Sequence, residues 1–290
     1  SYQWRRNGVN IGGATGSSYT RNNIQSGDVG MYSVVVSNPL GSVVSVEASL
    51  ALTGAIAFQD NFSGCSLGQW TTAASPATEL VASSEQNHTG GGGCSAKQDN
   101  TSDYMYHNFG NYSGHTRVSF YWYDDGASTK SYLEMRSYAN GSYPGSLTQV
   151  LAVGKYNTVT APGEVYDLRK YQLRVLYPSA SMGWMNCETN SSGGARSPGW
   201  HKFSIERLAD GTTLKFTVDD VATRTVTGMT PQNWNTVFIG TGSGSTGITA
   251  YFDDVVVEYF DPPSIVVPPA GQTVALGGSA TFSVVATNNP

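Results

Sequence analysis

Short runs of alternating apolar and polar residues, punctuated by Gly, Asn, Ser and Pro, fill most of the chain, and a period of two predicts strands rather than helices. In Thr116 to Tyr123, Val118, Phe120 and Trp122 share one face while Tyr121 and Tyr123 share the other. Ser131 to Tyr138, Leu147 to Val153 and Tyr171 to Tyr177 repeat the period. Trp200 to Arg207 alternates with Phe203 and Ile205 inward, and the Asp210-Gly211 turn leads into Leu214 to Val218 to make a hairpin. No helical spacing extends beyond a turn or two, so an all-β protein is expected.

Composition narrows the class. At 290 residues the length suits two domains, and 13% charged residues is about half the usual share. That suits a loop-rich extracellular or cell-surface protein better than a cytosolic enzyme. The net charge of −5, with no basic run, argues against a nucleic-acid partner. No apolar stretch approaches the roughly 20 residues of a membrane helix, so no membrane insertion is expected.

The N-terminal stretch resembles part of an immunoglobulin-type sandwich. In Asp28 to Asn38, Tyr32 stands two residues before Val34, where antibody domains carry their second Cys, and its hydroxyl is expected to bond back to the upstream backbone. Tyr2 to Gly8 resembles strand C, with Trp4 as the core tryptophan; Val34 and Val36 share a face, and Val43 to Leu50 supplies strand G. At the other end, Pro262 to Pro269 resembles the Pro-rich strand A of secreted bacterial Ig-like repeats, and Val274 to Ala286 the A′ and B strands. The resemblance implies a domain split across the termini: residues 1 to 54 carry strands C to G, and residues 262 to 290 carry strands A to B.

Between them, residues 55 to 261 resemble a LamG-like jelly roll of the concanavalin A-like class. Phe58-Gln59-Asp60-Asn61-Phe62, Gly68-Gln69-Trp70 and the Gly90 to Ser95 stretch look like its opening, and Ala250 to Glu258 like a final strand returning beside the first. Such domains often hold a structural Ca²⁺ between first and last strands, which singles out Asp60 and Asp254, with Asp253 as an alternative to the latter. Nothing else in the sequence calls for a cofactor. Cys65 and Cys94 flank the first strands of this region, and a disulfide between them is expected in a secreted protein. Cys187 is then left as a buried thiol, as a bridge to another subunit, or as a sign of a different pairing.

Catalytic signatures are scarce. The E-x-D-x-x-E strand of jelly-roll glucanases is absent, and Glu164-Val165-Tyr166-Asp167 has the wrong spacing for one strand face. Gly64-Cys65-Ser66-Leu67-Gly68 matches G-x-S-x-G, but that motif needs a strand-to-helix turn. His88, His107, His115 and His201 show no metal spacing. Sequons stand at Asn61, Asn87, Asn100, Asn111, Asn140 and Asn190. Tyr104, Tyr106, Tyr121, Tyr123, Tyr138, Tyr143 and Trp184 are numerous enough that some rings should be exposed to stack on a sugar.

The expectation is a non-catalytic extracellular unit of a bacterial surface filament or giant repeat protein, whose partners are further copies of itself. Ile265, Val267, Val274, Phe282 and Val284 act as strand donors; Trp4, Tyr32, Val34 and Val36 line the acceptor. Self-closure within one chain is disfavoured, because strands A and G lie at opposite poles of a sandwich while jelly-roll ends lie close together. Donated strands, covalent repeats and a chain boundary placed inside a domain all fit the sequence. The alternative is a carbohydrate-binding module of a secreted multidomain glycan-degrading protein, with glycans as partners.

Overall fold

The computed structural model describes residues 1–21, 28, 30–50, 54–73, 78–88, 90–99, 103–126, 130–176, 182–187, 196–230, 232–240, 249–260, 265–267 and 285–286. The chain divides into two compact units, one spanning Ser1–Gly54 and the other Ala55–Asn289. Among the described residues there is no α-helix, and no helix is long and apolar enough to cross a membrane.

The first unit is one antiparallel sheet. Its order is Val9–Asn10, Tyr2–Arg6, Gly30–Asn38, Gly41–Val44, with Ala48–Leu50 also paired to Gly30–Asn38. Trp4 pairs with Val34 and Tyr2 with Val36. The Tyr32 hydroxyl donates to the Asp28 carbonyl at 2.6 Å. The expected last strand is interrupted: Ser45 Oγ accepts from the Val34 N–H and its own N–H donates to the Val34 carbonyl, breaking the run between Val44 and Ala48. Trp4 corrects a second expectation, since it is half-buried rather than a core residue. Its indole N–H donates to the Gly16 carbonyl, and its ring lies 6.1 Å from that of Tyr19. Among the described residues of this unit only Ala14, Asp28 and Ser33 are buried, because one sheet has no second layer to enclose an apolar face.

The second unit is a jelly-roll β-sandwich of two antiparallel sheets. The seven-stranded sheet runs Gly183–Asn186, Gln172–Leu176, Leu147–Lys155, Ser131–Tyr138, Trp234–Gly240, Tyr104–Tyr112, Thr71–Thr72. The eight-stranded sheet runs Val221–Val226, Leu214–Val218, Gly199–Arg207, Thr116–Asp124, Ala250–Tyr259, Ser95–Gln98, Val81–Ser83. Ala55–Asp60 joins the latter beside Ala250–Tyr259, so the last strand returns next to the first.

Alternation builds the core. Val118, Phe120, Trp122, Phe203, Ile205 and Phe252 from one sheet meet Leu133, Met135, Leu151, Val153, Leu173 and Trp234 from the other, and all are fully enclosed. At roughly 25 cal/mol per Å² of apolar surface, each such side chain contributes about 1.5–3 kcal/mol. Cys65 and Cys94 form a disulfide with Cα atoms 5.0 Å apart. Cys187 is buried and is not part of that bridge.

Ile265–Val267 and Val285–Ala286 pair antiparallel, with Ile265 opposite Ala286 and Val267 opposite Val285. Val274, Phe282 and Val284 lie outside the described residues.

Candidate functional site

Inward residues of a two-sheet sandwich are committed to packing, so chemistry must come from the outward positions. On Ser131–Tyr138, Leu133 and Met135 point to the core, which sends Tyr132, Glu134, Arg136 and Tyr138 to the outer face. Register extends this face across the sheet. Trp184 pairs with Arg174, Arg174 with Ala152, Ala152 with Glu134, Glu134 with Phe238 and Phe238 with Tyr106. One row thus crosses six strands with aromatic groups at its ends and charges between them.

Glu134 is the hub of the row. Its Oε2 accepts from the Tyr104 hydroxyl at 3.1 Å and from Arg136 Nε at 2.7 Å, and Arg136 Nη2 bonds the same oxygen. The Arg136 guanidinium lies 3.9 Å from the Phe238 ring centre and 5.1 Å from that of Tyr104, and its Nη1 donates to the Tyr138 hydroxyl. Burial pushes the Glu134 carboxyl up to about 7, against the pull of the Arg174 guanidinium. Burial likewise lowers Arg136 and raises Tyr138. Across Ala152, Arg174 sits 5.7 Å from the Trp184 ring centre, and its buried Nε hydrogen-bonds to no described residue. Trp184 stacks flat on Tyr156 at 4.0 Å.

The loop after Ser131–Tyr138 folds over one end of the row. Tyr143 rests 4.7 Å from Tyr106 and 5.3 Å from Phe238, both edge-on. A two-way amide clamp holds it there: Asn108 Nδ2 donates to the Tyr143 carbonyl at 2.9 Å, and the Tyr143 N–H donates to Asn108 Oδ1 at 3.0 Å. Tyr106 and Tyr143 stay half-exposed above the buried Phe238.

Glycoside hydrolysis usually needs two carboxyl groups about 5–9 Å apart. In this row and the two that flank it, Glu134 is the one carboxyl among the described outward positions. Two residues along, where a second acid would share its face, the chain carries Arg136.

The aromatic residues singled out from sequence divide between two surfaces. Tyr104, Tyr106, Tyr138, Tyr143 and Trp184 belong to the outer side of the seven-stranded sheet. Tyr121 and Tyr123 belong to that of the eight-stranded sheet, where Trp200, Tyr123, Tyr251 and Lys97 form a row. There His88 stacks on Tyr121 at 3.4 Å and its Nδ1 lies 2.7 Å from Asp254 Oδ2.

Asp60 and Asp254 are drawn into separate networks. Asp60 accepts from the Phe62 N–H and the Trp70 indole N–H, and burial raises its carboxyl. Among the described residues no group of three His, Cys, Asp or Glu side chains gathers to hold a metal ion. His107, His115 and His201 bond to the Gln69 carbonyl, Glu206 and Asp219 respectively. Ser66 sits in an exposed turn, its hydroxyl accepting from the Gly68 N–H.

The chain matches no family model and no curated relative by sequence. Its fold is similar to domain 4 of AbnA, an extracellular arabinanase from Geobacillus stearothermophilus solved with arabinotriose, at 10% identity and a TM-score of 0.45, over 71% of this chain and 93% of that one. It is also similar to a Bacillus licheniformis β-glucanase, at 14% identity and a TM-score of 0.45, over 70% of this chain and 98% of that one. The Emp47p carbohydrate recognition domain gives 9% identity and a TM-score of 0.43, over 73% of this chain and 99% of that one.

Proposed function

We propose that the second unit is a non-catalytic carbohydrate-binding module that holds a glycan against the outer face of the seven-stranded sheet. One observation carries this reading: Tyr106 at the end of the row and Tyr143 on the loop above it are half-exposed rings set beside fixed hydrogen-bonding groups and the Glu134 carboxyl. Tyr106 and Tyr143 supply stacking surface, and Arg174 supplies a polar contact to sugar hydroxyls. The Cys65–Cys94 disulfide supports an oxidising, extracellular setting. Binding of the intact chain to an array of plant and microbial glycans tests the proposal. Selective binding weakened about tenfold or more in Tyr143→Ala is expected, and an array with no selective signal would sink it.

A second reading, head-to-tail assembly through the first unit, is favoured by the exposed apolar side chains of its sheet, with Val9 at 71% and Val43 at 66% exposure. The strand order and the Tyr32 hydroxyl bond support an Ig-like reading of that sheet. Residues 262–290 of another copy are the proposed occupant. Sedimentation velocity checks it: association that rises with concentration and weakens in Val43→Lys is expected, whereas a monomer at every concentration excludes it.

A further inference from the structure

The sugar-binding face carries more positive than negative charge, and its two arginines are unequally satisfied. Arg136 bonds to Glu134 and Tyr138. Arg174 lies in the row of Glu134 on the same face, yet its Nε is buried with no hydrogen bond to a described residue. A buried donor left unpaired is costly, because it has given up water without gaining a partner. Native structures keep few such groups, and each calls for an explanation, such as an ion that completes it.

Glu134 does not supply that completion. Its hydrogen-bonded oxygen already takes Tyr104 and Arg136, and burial holds its proton on up to about 7. Arg174 pulls against this shift and also disfavours the charge on Arg136, so the three groups sense one another across Ala152. On this face Glu134, when ionised, offsets the neighbouring Arg136 and leaves Arg174 over; with Glu134 protonated both guanidiniums are left without a carboxylate. Neutral sugar hydroxyls cannot offset that surplus, whereas a carboxylate matches a guanidinium in shape and charge.

We propose that this face selects acidic glycans, chains containing uronic acid residues, with Arg174 as the group that reads the sugar carboxylate and Arg136 as its electrostatic support. The inference rests on the carbohydrate-binding reading and specifies the class of sugar that the site takes. Tyr106 and Tyr143 stack on the neighbouring sugar ring, and Glu134 fixes Arg136 rather than performing chemistry.

Methyl esterification removes the charge and leaves the sugar chain unchanged, so it provides a direct test. Titration calorimetry of the intact chain would compare galacturonate, glucuronate and mannuronate oligomers with their methyl esters, and with neutral xylan and glucan oligomers. At least one acid should bind about tenfold or more tightly than its own ester. Raising salt from about 50 mM to about 500 mM should shrink that ratio. Arg174→Gln should bring it towards one, and Arg174→Lys, which keeps the charge but loses the fork, should leave it in between. The wild-type acid-to-ester ratio needs no variant, so a folding defect in Arg174→Gln leaves the test intact. Acid and ester binding within about twofold in every series, with sugars still bound, overturns the acidic preference and leaves the carbohydrate reading standing. Failure to bind any acid, ester or neutral chain overturns both.

Discussion

Across the seven-stranded sheet the outward row runs Trp184, Arg174, Ala152, Glu134, Phe238 and Tyr106; across the eight-stranded sheet it runs Trp200, Tyr123, Tyr251, Lys97 and Val81. Both rows combine aromatic residues with charge, and strand alternation sets both. Their surroundings differ. Glu134 is 3% exposed and meets its partners inside a cluster of rings, while the carboxylate facing Lys97, that of Glu85, has a side chain 60% exposed. Buried charges interact strongly and shift their proton equilibria; exposed ones are screened. Aromatic content therefore does not distinguish the two faces, whereas enclosure of the charges between the rings does.

The largest test of this contrast is Phe238→Ala. The ring is fully buried, stacks on Tyr104 at 4.9 Å and supports Arg136 and Tyr143, so its loss should cost about 3–5 kcal/mol in urea unfolding and abolish glycan binding. Retained binding with full stability would remove the distinction between the faces.

The pH dependence of stability comes next. Glu134 is raised from 4.5 to about 7 in the folded protein, so between those values the native state holds a proton that the unfolded state has lost. Stability from this group is therefore complete below about 4.5, falls as pH rises to about 7, and is level above it. The loss is on the order of 3 kcal/mol at 1.36 kcal/mol per pH unit. Tyr104, Arg136, Tyr138 and Arg174 are the groups facing the carboxyl. Glu134→Gln should flatten this part of a plot of melting temperature against pH; an unchanged slope would contradict the buried setting.

The smallest effect belongs to the other face. Tyr123 contacts Trp200 and Tyr251 edge-on, and Tyr123→Ala should cost about 1 kcal/mol while leaving glycan affinity within about twofold. A tenfold loss of affinity would move the binding site to the eight-stranded sheet.

Much of the architecture is legible in the residues. The alternation of Val118, Phe120 and Trp122 with Tyr121 and Tyr123 fixes which side of that strand faces the core, because apolar side chains two apart share a face and burying them drives folding. Phe203 and Ile205 follow the same logic. The strand Ser131–Tyr138 was equally readable, but its outward members were not recognisable as a site: Glu134 and Arg136 look like any solvated pair until other strands flank them. Arg174 lies 40 residues downstream of Glu134, and no sequence motif connects them. Tyr143 reads as part of a polar loop, and only the clamp with Asn108 brings it over Phe238.

Sequence alone determined that the chain is all-β, which residues alternate inward, and that aromatic groups exceed what a core can absorb. Tertiary structure alone decided which aromatics share a surface, that Glu134, Arg136 and Arg174 share one outward face, and which groups bond Asp60 and Asp254. The reason is physical. Periodicity is a local property that each strand carries in its own side chains, whereas a site depends on strand order and register, and these arise from contacts between residues far apart in the chain.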